Sequence, residues 1–431
     1  MSLRLFTIPA DVAFLPALTR AILAGHLPIP GPPPRLEDLP RWTVLLPTRR
    51  AVRGLGRSFL GAAGRGAMLL PRIRPIGDVD EDLLGADLPG GSPDEDHLAP
   101  AISGLEREAL LIRLIDEWAA AHPEERLAFE IAGSPSQAIA LAQSLAGLLD
   151  TFETEEADLD RLPELFTADL AQHRNSILSF LAIIREKLPV ELFMLGRLGP
   201  MERRSRLLRM EARRLNETRP SGPVVAAGST GSIPASAELL KTIASLSEGA
   251  VVLPGLDQTM SEASWRHVGP QHPQYGLKRL LDGWHVKREE VELLPGLAGE
   301  RRNQARVWLS SEIMRPTPAA STWREALLAG RGQVIQGMEK VSLVETRDHH
   351  QEAQVIALAM REALEDPEKT VALVTPDRDL ARRVISALKR WGVAIDDSAG
   401  EPLIRRPLGS LCAAAIDYTL TDFAIHEFAK L

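Results

Sequence analysis

The sequence predicts an α/β protein: a parallel sheet interrupted by an all-helical block, then the beginning of a second α/β unit. Three observations carry this. Residues 223–253 read as strand, small-residue loop, helix and strand (PVVAA, GSTGS, PASAELLKTIASL, AVVL), and short buried strands joined through helices favour parallel pairing. Residues 101–216 show only the 3.6-residue apolar spacing of helices. From residue 340 a strand–helix–strand–helix order returns in KVSLVET, HHQEAQVIALAMREALE, TVALVTP and DRDLARRVISALKRWG.

Ahead of the helical block, WTVLLP (42–47) is a short apolar run dense in branched residues and reads as a buried strand. Pro47 and Thr48 break it, and RRAVRGLGRSFL then spaces Val52, Leu55, Phe59 and Leu60 as a helix does. The stretch 82–100, with Pro89, Gly90, Gly91, Pro93 and Pro100, reads as an exposed loop. Ser103 with Glu106 fits a capping box, and Ser134, Pro135 and Gln137 fit a second one. Further helical patterns run through 157–187 and 200–216, so the block holds about four helices. In the second unit Thr375 is expected to cap a helix, with Pro376 at its first position and Gly392 at its stop. TVLLPTRRAVRGLGRSFL (43–60) and VALVTPDRDLARRVISAL (371–388) share strand, proline turn, arginine pair and helix, as two domains of related architecture would. The expected divisions are 1–100 and 217–335 for the two parts of the first domain, 101–216 for the insertion, and 336–431 for the second domain. TDFAIHEFAKL stops in mid-pattern, so that second domain is expected to be truncated.

Charge is informative in its layout. The net value of −8 argues against a chain coated in nucleic acid. Yet residues 41–77 hold Arg41, Arg49, Arg50, Arg53, Arg57, Arg65, Arg72 and Arg74 and no acid. The next twenty residues reverse this, with eight acids between Asp78 and Asp96 and no Lys or Arg. A second basic block follows, where Arg203, Arg204, Arg206, Arg209, Arg213 and Arg214 outnumber Glu202 and Glu211. Coding bias explains why only 8 of the 50 basic residues are lysine, but it does not explain this segregation. The single cysteine, Cys412, excludes an intrachain disulfide framework and a multi-cysteine metal site. No apolar run approaches the roughly 18 residues of a membrane span, and the N-terminus does not read as a signal peptide. The expected compartment is the cytoplasm.

A strand, a turn and a helix start is where a phosphate-binding loop sits, and such a loop needs glycines and a lysine. Here the turn is Pro47-Thr48-Arg49-Arg50, the first glycine after it is Gly54, and the first lysine of the chain is Lys187. Arg49 and Arg50 at a helix start suit a DNA phosphate, or else they cover the sheet edge or pair with the acidic run. The loop Gly228-Ser229-Thr230-Gly231-Ser232 suits an anion or a nucleic-acid backbone, or is a tight connection with no ligand. Trp265 and Tyr275 are base-stacking candidates, whereas His267 and His272 lack the acids and spacing of a zinc site. No G-x-S-x-G or H-E-x-x-H motif is present, so no catalytic residue is assigned.

Taken together and in this order, LLPTRRAVRGL, LLPRIRPIGDVDEDLL, AAGSTGSIPASAELL, VVLPGLD, HPQYGLKRLL and LVTPDRDLARRV…RWGV…DDSAGEPL resemble the AddB subunit of the AddAB helicase–nuclease. The resemblance spans nearly the whole chain and matches the N-terminal part of that family, in a branch where LLPTRR replaces the ATP-binding loop. It implies RecA-like domains of the superfamily 1 helicase type, the first carrying the helical insertion. It also implies a role in double-strand break repair by end resection with an AddA partner, and in recognition of the Chi sequence. Family members continue into a nuclease domain with an iron–sulfur cluster, of which these residues show nothing; ATP and magnesium would belong to the partner subunit. PLIRRPLGSLC departs from the pattern expected after DDSAGE. The reading that results is a DNA-binding, helicase-like segment without a phosphate loop. Its candidate contacts are Thr48, Arg49, Arg50, Arg72, Arg74, Ser229, Thr230, Tyr275 and Arg378. The rivals are a scaffold that docks the motor subunit without touching DNA, and an unorthodox nucleotide-binding enzyme built on the 228–232 loop.

Overall fold

The computed structural model describes residues 3–64, 67–76, 98–123, 135–165, 171–218, 220–297, 299, 301, 303–400 and 403–420. The chain divides into two compact units, Met1–Glu339 and Lys340–Leu431.

In the first unit the described strands are β1 (Leu5–Ile8), β2 (Thr43–Leu46), β3 (Arg72–Pro75), β4 (Val224–Ala227), β5 (Gly249–Pro254) and β6 (Glu292–Leu293). They form one all-parallel six-stranded sheet in the order β3-β2-β4-β5-β1-β6. The helices are α1 (Phe14–Leu23), α2 (Arg49–Ala62), α3 (Gly104–Ala121), α4 (Pro135–Glu155), α5 (Ala171–Ala182), α6 (Leu188–Met194), α7 (Pro200–Glu217) and α8 (Pro234–Ser245). After them come α9 (Glu262–Arg266), α10 (Tyr275–Trp284), α11 (Gln304–Ile313), α12 (Trp323–Ala329) and α13 (Arg331–Met338).

Parallel strands need crossovers, and the helices of those crossovers cover both faces of the sheet, so the central strands carry apolar residues on both sides. LFTI, VVAA and most of GAVVLP are accordingly buried without alternation. On one face Phe6, Ile8, Val44, Leu46, Val225 and Val252 pack under α1 (Leu18, Ile22) and α2 (Leu55, Phe59). On the other, Leu5, Val224, Val251 and Leu253 pack under α7 (Leu208, Leu215), α8 (Leu239, Ile243) and α10 (Leu277, Leu281). Connections that step toward β3 lie on the first face and those that step toward β6 lie on the second, as a single crossover hand requires.

Between β3 and β4 the described chain is helical, and α3 to α6 close around a core of their own: Leu111, Leu114, Trp118, Leu145, Leu149, Ile184 and Leu188. The capping box at Ser103 and Glu106 is formed: Ser103 Oγ accepts from Glu106 N at 3.2 Å, and Glu106 accepts from Ser103 N at 3.0 Å. Ser134, the acidic run from Asp78 to Asp96, and TDFAIHEFAKL lie outside the described residues. No described helix is long and apolar enough to cross a membrane.

In the second unit α14 (His349–Ala363) and α15 (Arg378–Lys389) pack through Ala353, Ala357, Val384 and Leu388, with α16 (Pro407–Leu420) after them. The two strands expected here do not form. KVSLVET and TVALVTP carry no ladder among the described residues, and Leu343 and Val374 are 87% and 93% exposed. An extended segment becomes a strand only when a neighbour takes its N–H and C=O groups, and these two do not pair with each other. The cap of α15 also shifts. Asp377, not Thr375, is the N-cap, its Oδ1 accepting from Asp379 N at 2.8 Å and Leu380 N at 3.2 Å. A carboxylate opposes the positive helix end better than a neutral hydroxyl does. Thr375 Oγ1 instead accepts from Asp377 N at 3.0 Å, closing the turn ahead of the helix.

Candidate nucleic-acid interface

Pro47 ends β2 and cannot donate to the ladder, and Thr48 follows in extended backbone as the N-cap of α2. The Thr48 hydroxyl oxygen accepts from Ala51 N at 3.1 Å, so this predicted contact residue has a structural role of its own. The sequence RRAVRGLGRSFLGA then puts Leu55 and Phe59 in the core and leaves Arg49, Arg50, Arg53 and Arg57 exposed at three- and four-residue spacing. The helix contains no acid, and among the described residues Arg53 and Arg57 have no acidic partner. Two arginines in the first turn also oppose the helix dipole, which costs about 0.3–1 kcal/mol for each such charge.

Arg72 and Arg74 lie on edge strand β3, over which α2 packs. Ile73 between them joins the core under α2, so by strand alternation the two arginines leave the opposite face. Arg74 pairs in register with Leu45 near the carboxyl edge, whereas Arg72 pairs with Thr43 at the amino end. The arginines that the sequence grouped therefore fall on two sides of one sheet edge.

The 228–232 loop adjoins the Pro47 turn. Gly228 has φ +78°, and a Cβ on it would lie 3.3 Å from Phe14 Cε1 and 3.5 Å from Pro47 Cδ. Gly231 has φ +57°, and its Cβ would lie 2.5 Å from Leu280 Cδ1. Packing thus accounts for both glycines. Ser229 Oγ accepts from Gly231 N at 3.2 Å, and Thr230 lies against Gly276 at the head of α10. Tyr275 is half-buried against the core beneath α8 and α10. Thr48, Arg49, Arg50, Ser229, Thr230 and Tyr275 are thus placed along the carboxyl edge of neighbouring strands β2 and β4.

Other candidates are not available there. Trp265 is buried, with the Arg288 guanidinium 4.9 Å from its ring centre, so bases cannot stack on it. Arg378 belongs to the second unit, where Asp397 holds it through two bonds of 3.1 and 2.7 Å. Three arginines of the second basic block are engaged by nearby acids: Arg206 pairs with Glu202, Arg214 with Glu211, and Arg209 with Glu156 and Glu238. No group of three or more metal-ligating side chains occurs among the described residues.

A feature that sequence reasoning missed lies farther along the same carboxyl edge, at the ends of β5 and β1. The connections from neighbouring strands β5 and β1 depart on opposite faces, and such divergence opens a crevice outside the strand ends. A cavity of about 600 Å³ lies there, lined by Pro9, Asp11, Asp257, His272, Arg301 and Val307 among others. Asp11 pairs with Arg301 Nε at 2.7 Å, with its side chain 4% exposed, and accepts from Asn303 N at 3.4 Å. The turn that carries it, Pro9-Ala10-Asp11-Val12-Ala13 between β1 and α1, has no glycine and no lysine. This second strand–turn–helix corner is no more a phosphate loop than the first.

No protein-family model matches the chain, and neither does any curated protein.

Proposed function

We propose that this chain is a helicase-like segment of AddB type that grips single-stranded DNA without hydrolysing ATP, in a RecA-like first domain with a helical insertion. Its physiological setting would be resection of double-strand breaks beside an AddA-type motor, which supplies the ATP hydrolysis. The order of motifs along the chain and the all-parallel sheet support this reading. The observation that carries it is the exposed arginine stripe of α2, Arg49, Arg50, Arg53 and Arg57, beside the 228–232 loop. Guanidinium groups at this spacing follow a phosphate backbone, and backbone contacts position a strand without reading its sequence. The corners after β1 and β2 have neither glycine nor lysine, and the 228–232 loop after β4 has glycines but no lysine, which supports grip without turnover.

A second reading has its own observation. On α6 and just past it, Val190, Phe193, Met194 and Leu195 are 61%, 82%, 77% and 56% exposed, an apolar patch of the kind that docks another protein. The test is charge reversal of Arg49 and Arg50, followed by fluorescence anisotropy on a labelled oligonucleotide and by assembly with an AddA-type subunit. Loss of DNA binding with assembly intact supports the grip. Loss of assembly with DNA binding intact makes the chain a scaffold.

A further inference from the structure

The last two turns of α4 and the residue after them are where the helical block meets the helices lying on the sheet, and four acids crowd there. Asp150 takes both ends of the Arg107 guanidinium of α3, at 2.6 and 2.9 Å. Glu155 pairs with Arg279 of α10 at 2.5 Å, and Glu156 pairs with Arg209 of α7. Glu153 differs, because among the described residues it forms no ion pair. Its carboxyl group is inserted at the head of α7, where it accepts from Glu202 N at 3.2 Å. The space for it exists because residue 199 is glycine: a Cβ there would lie 2.5 Å from Glu153 Oε1. The same corner is tied to the start of the helical block. Leu198 N donates to Pro100 O at 3.1 Å, Ile102 N to Leu198 O at 2.9 Å, and Arg203 Nε to Ala99 O at 3.2 Å.

The geometry points to a protonation-sensitive joint: protonated Glu153 seats the end of α4 on the head of α7, and its ionisation loosens the helical block from the α/β layers. The groups facing it pull both ways. Desolvation, the largest effect, disfavours the charge. The Glu202 N–H then favours it, the carboxylates of Glu202 on α7 and Asp150 on α4 disfavour it, and Arg107 on α3 favours it. Arg203 in the first turn of α7 is engaged by Ala99 O, and Arg197 before that helix acts on Glu106. The net result lifts the Glu153 carboxyl from 4.5 to about 7. Because the seated value is raised, the stabilisation is complete below about pH 4.5 and is lost as pH rises through about 7. The opening constant of the joint therefore rises by roughly tenfold or more between about pH 5.5 and 8.

Hydrogen exchange of the full chain, read at residues 149–156 and 199–206 and corrected for intrinsic rates, tests this. In the natural protein the opening at both segments is expected to rise at least about tenfold over that pH range. Glu153→Gln, which keeps an acceptor for Glu202 N, is expected to be flat. A flat profile in the natural protein, or the same rise in Glu153→Gln, would overturn the joint. Should that variant fold poorly, the Glu153 carboxyl carbon titrated by NMR in the natural protein decides: a midpoint near 7 supports the joint and one near 4.5 overturns it.

Discussion

Asp11 and Arg301, 290 residues apart in sequence, join the turn after β1 to the segment that leads into α11, through a 2.7 Å ion pair. The Asp11 side chain is 4% exposed and that of Arg301 19%, so the pair is only lightly solvated. Removing one member of such a pair leaves the other charge buried and alone. Asp11→Ala is expected to lower stability by about 3 kcal/mol, read by urea unfolding. The double variant with Arg301→Ala should lose less than the sum of the single losses, by about 1–3 kcal/mol. Additive single effects would show that the two side chains are neighbours without coupling.

Arg49 and Arg50 should trade stability against binding. Both stand in the first turn of α2, where an acid is favourable and a cation is not. Replacing both by Glu is expected to leave stability unchanged or raise it by up to about 1 kcal/mol, while DNA affinity falls. A large loss of stability in thermal unfolding would instead assign them to the fold.

Gly231 is required by its surroundings as well as by its backbone. Gly231→Ala places a Cβ 2.5 Å from Leu280 Cδ1 at a φ of +57°. The expected loss is about 1–3 kcal/mol, with Leu280 or the loop displaced. Thermal unfolding checks the loss. A neutral substitution would mean that the loop relaxes freely, as a ligand-binding loop with no packing duty does.

How much of this was legible in the sequence depends on how local the cause is. β2, β4 and β5 were readable because TVLL, VVAA and AVVL are branched or small apolar runs, the last two buried on both faces. β3 was not, because RIRP owes its place to pairing with β2 and to α2 above it, neither of which its own four residues encode. The strands expected at KVSLVET and TVALVTP failed for the complementary reason: apolar pattern without a partner makes no ladder. At the candidate interface the arginine stripe was visible as charge layout, since a helix turns spacing directly into a face. That Arg72 and Arg74 leave the far face of the sheet needed the strand alternation, and Asp11 with Arg301 needed the whole tertiary fold. In the second basic block the pairs of Arg206 with Glu202 and of Arg214 with Glu211 follow from helical spacing, whereas those of Arg209 with Glu156 and Glu238 needed the tertiary fold.

The most direct test of the DNA grip is the salt dependence of single-strand affinity, measured by anisotropy from low to moderate salt. Each phosphate contact contributes about 0.7 to the slope of log K against log salt on single strands, so four arginine contacts give a slope of about −2.8. Replacing Arg53 and Arg57 by Ala should remove about 1.4 of it. An affinity that does not change with salt, or a slope untouched by those substitutions, would contradict the account.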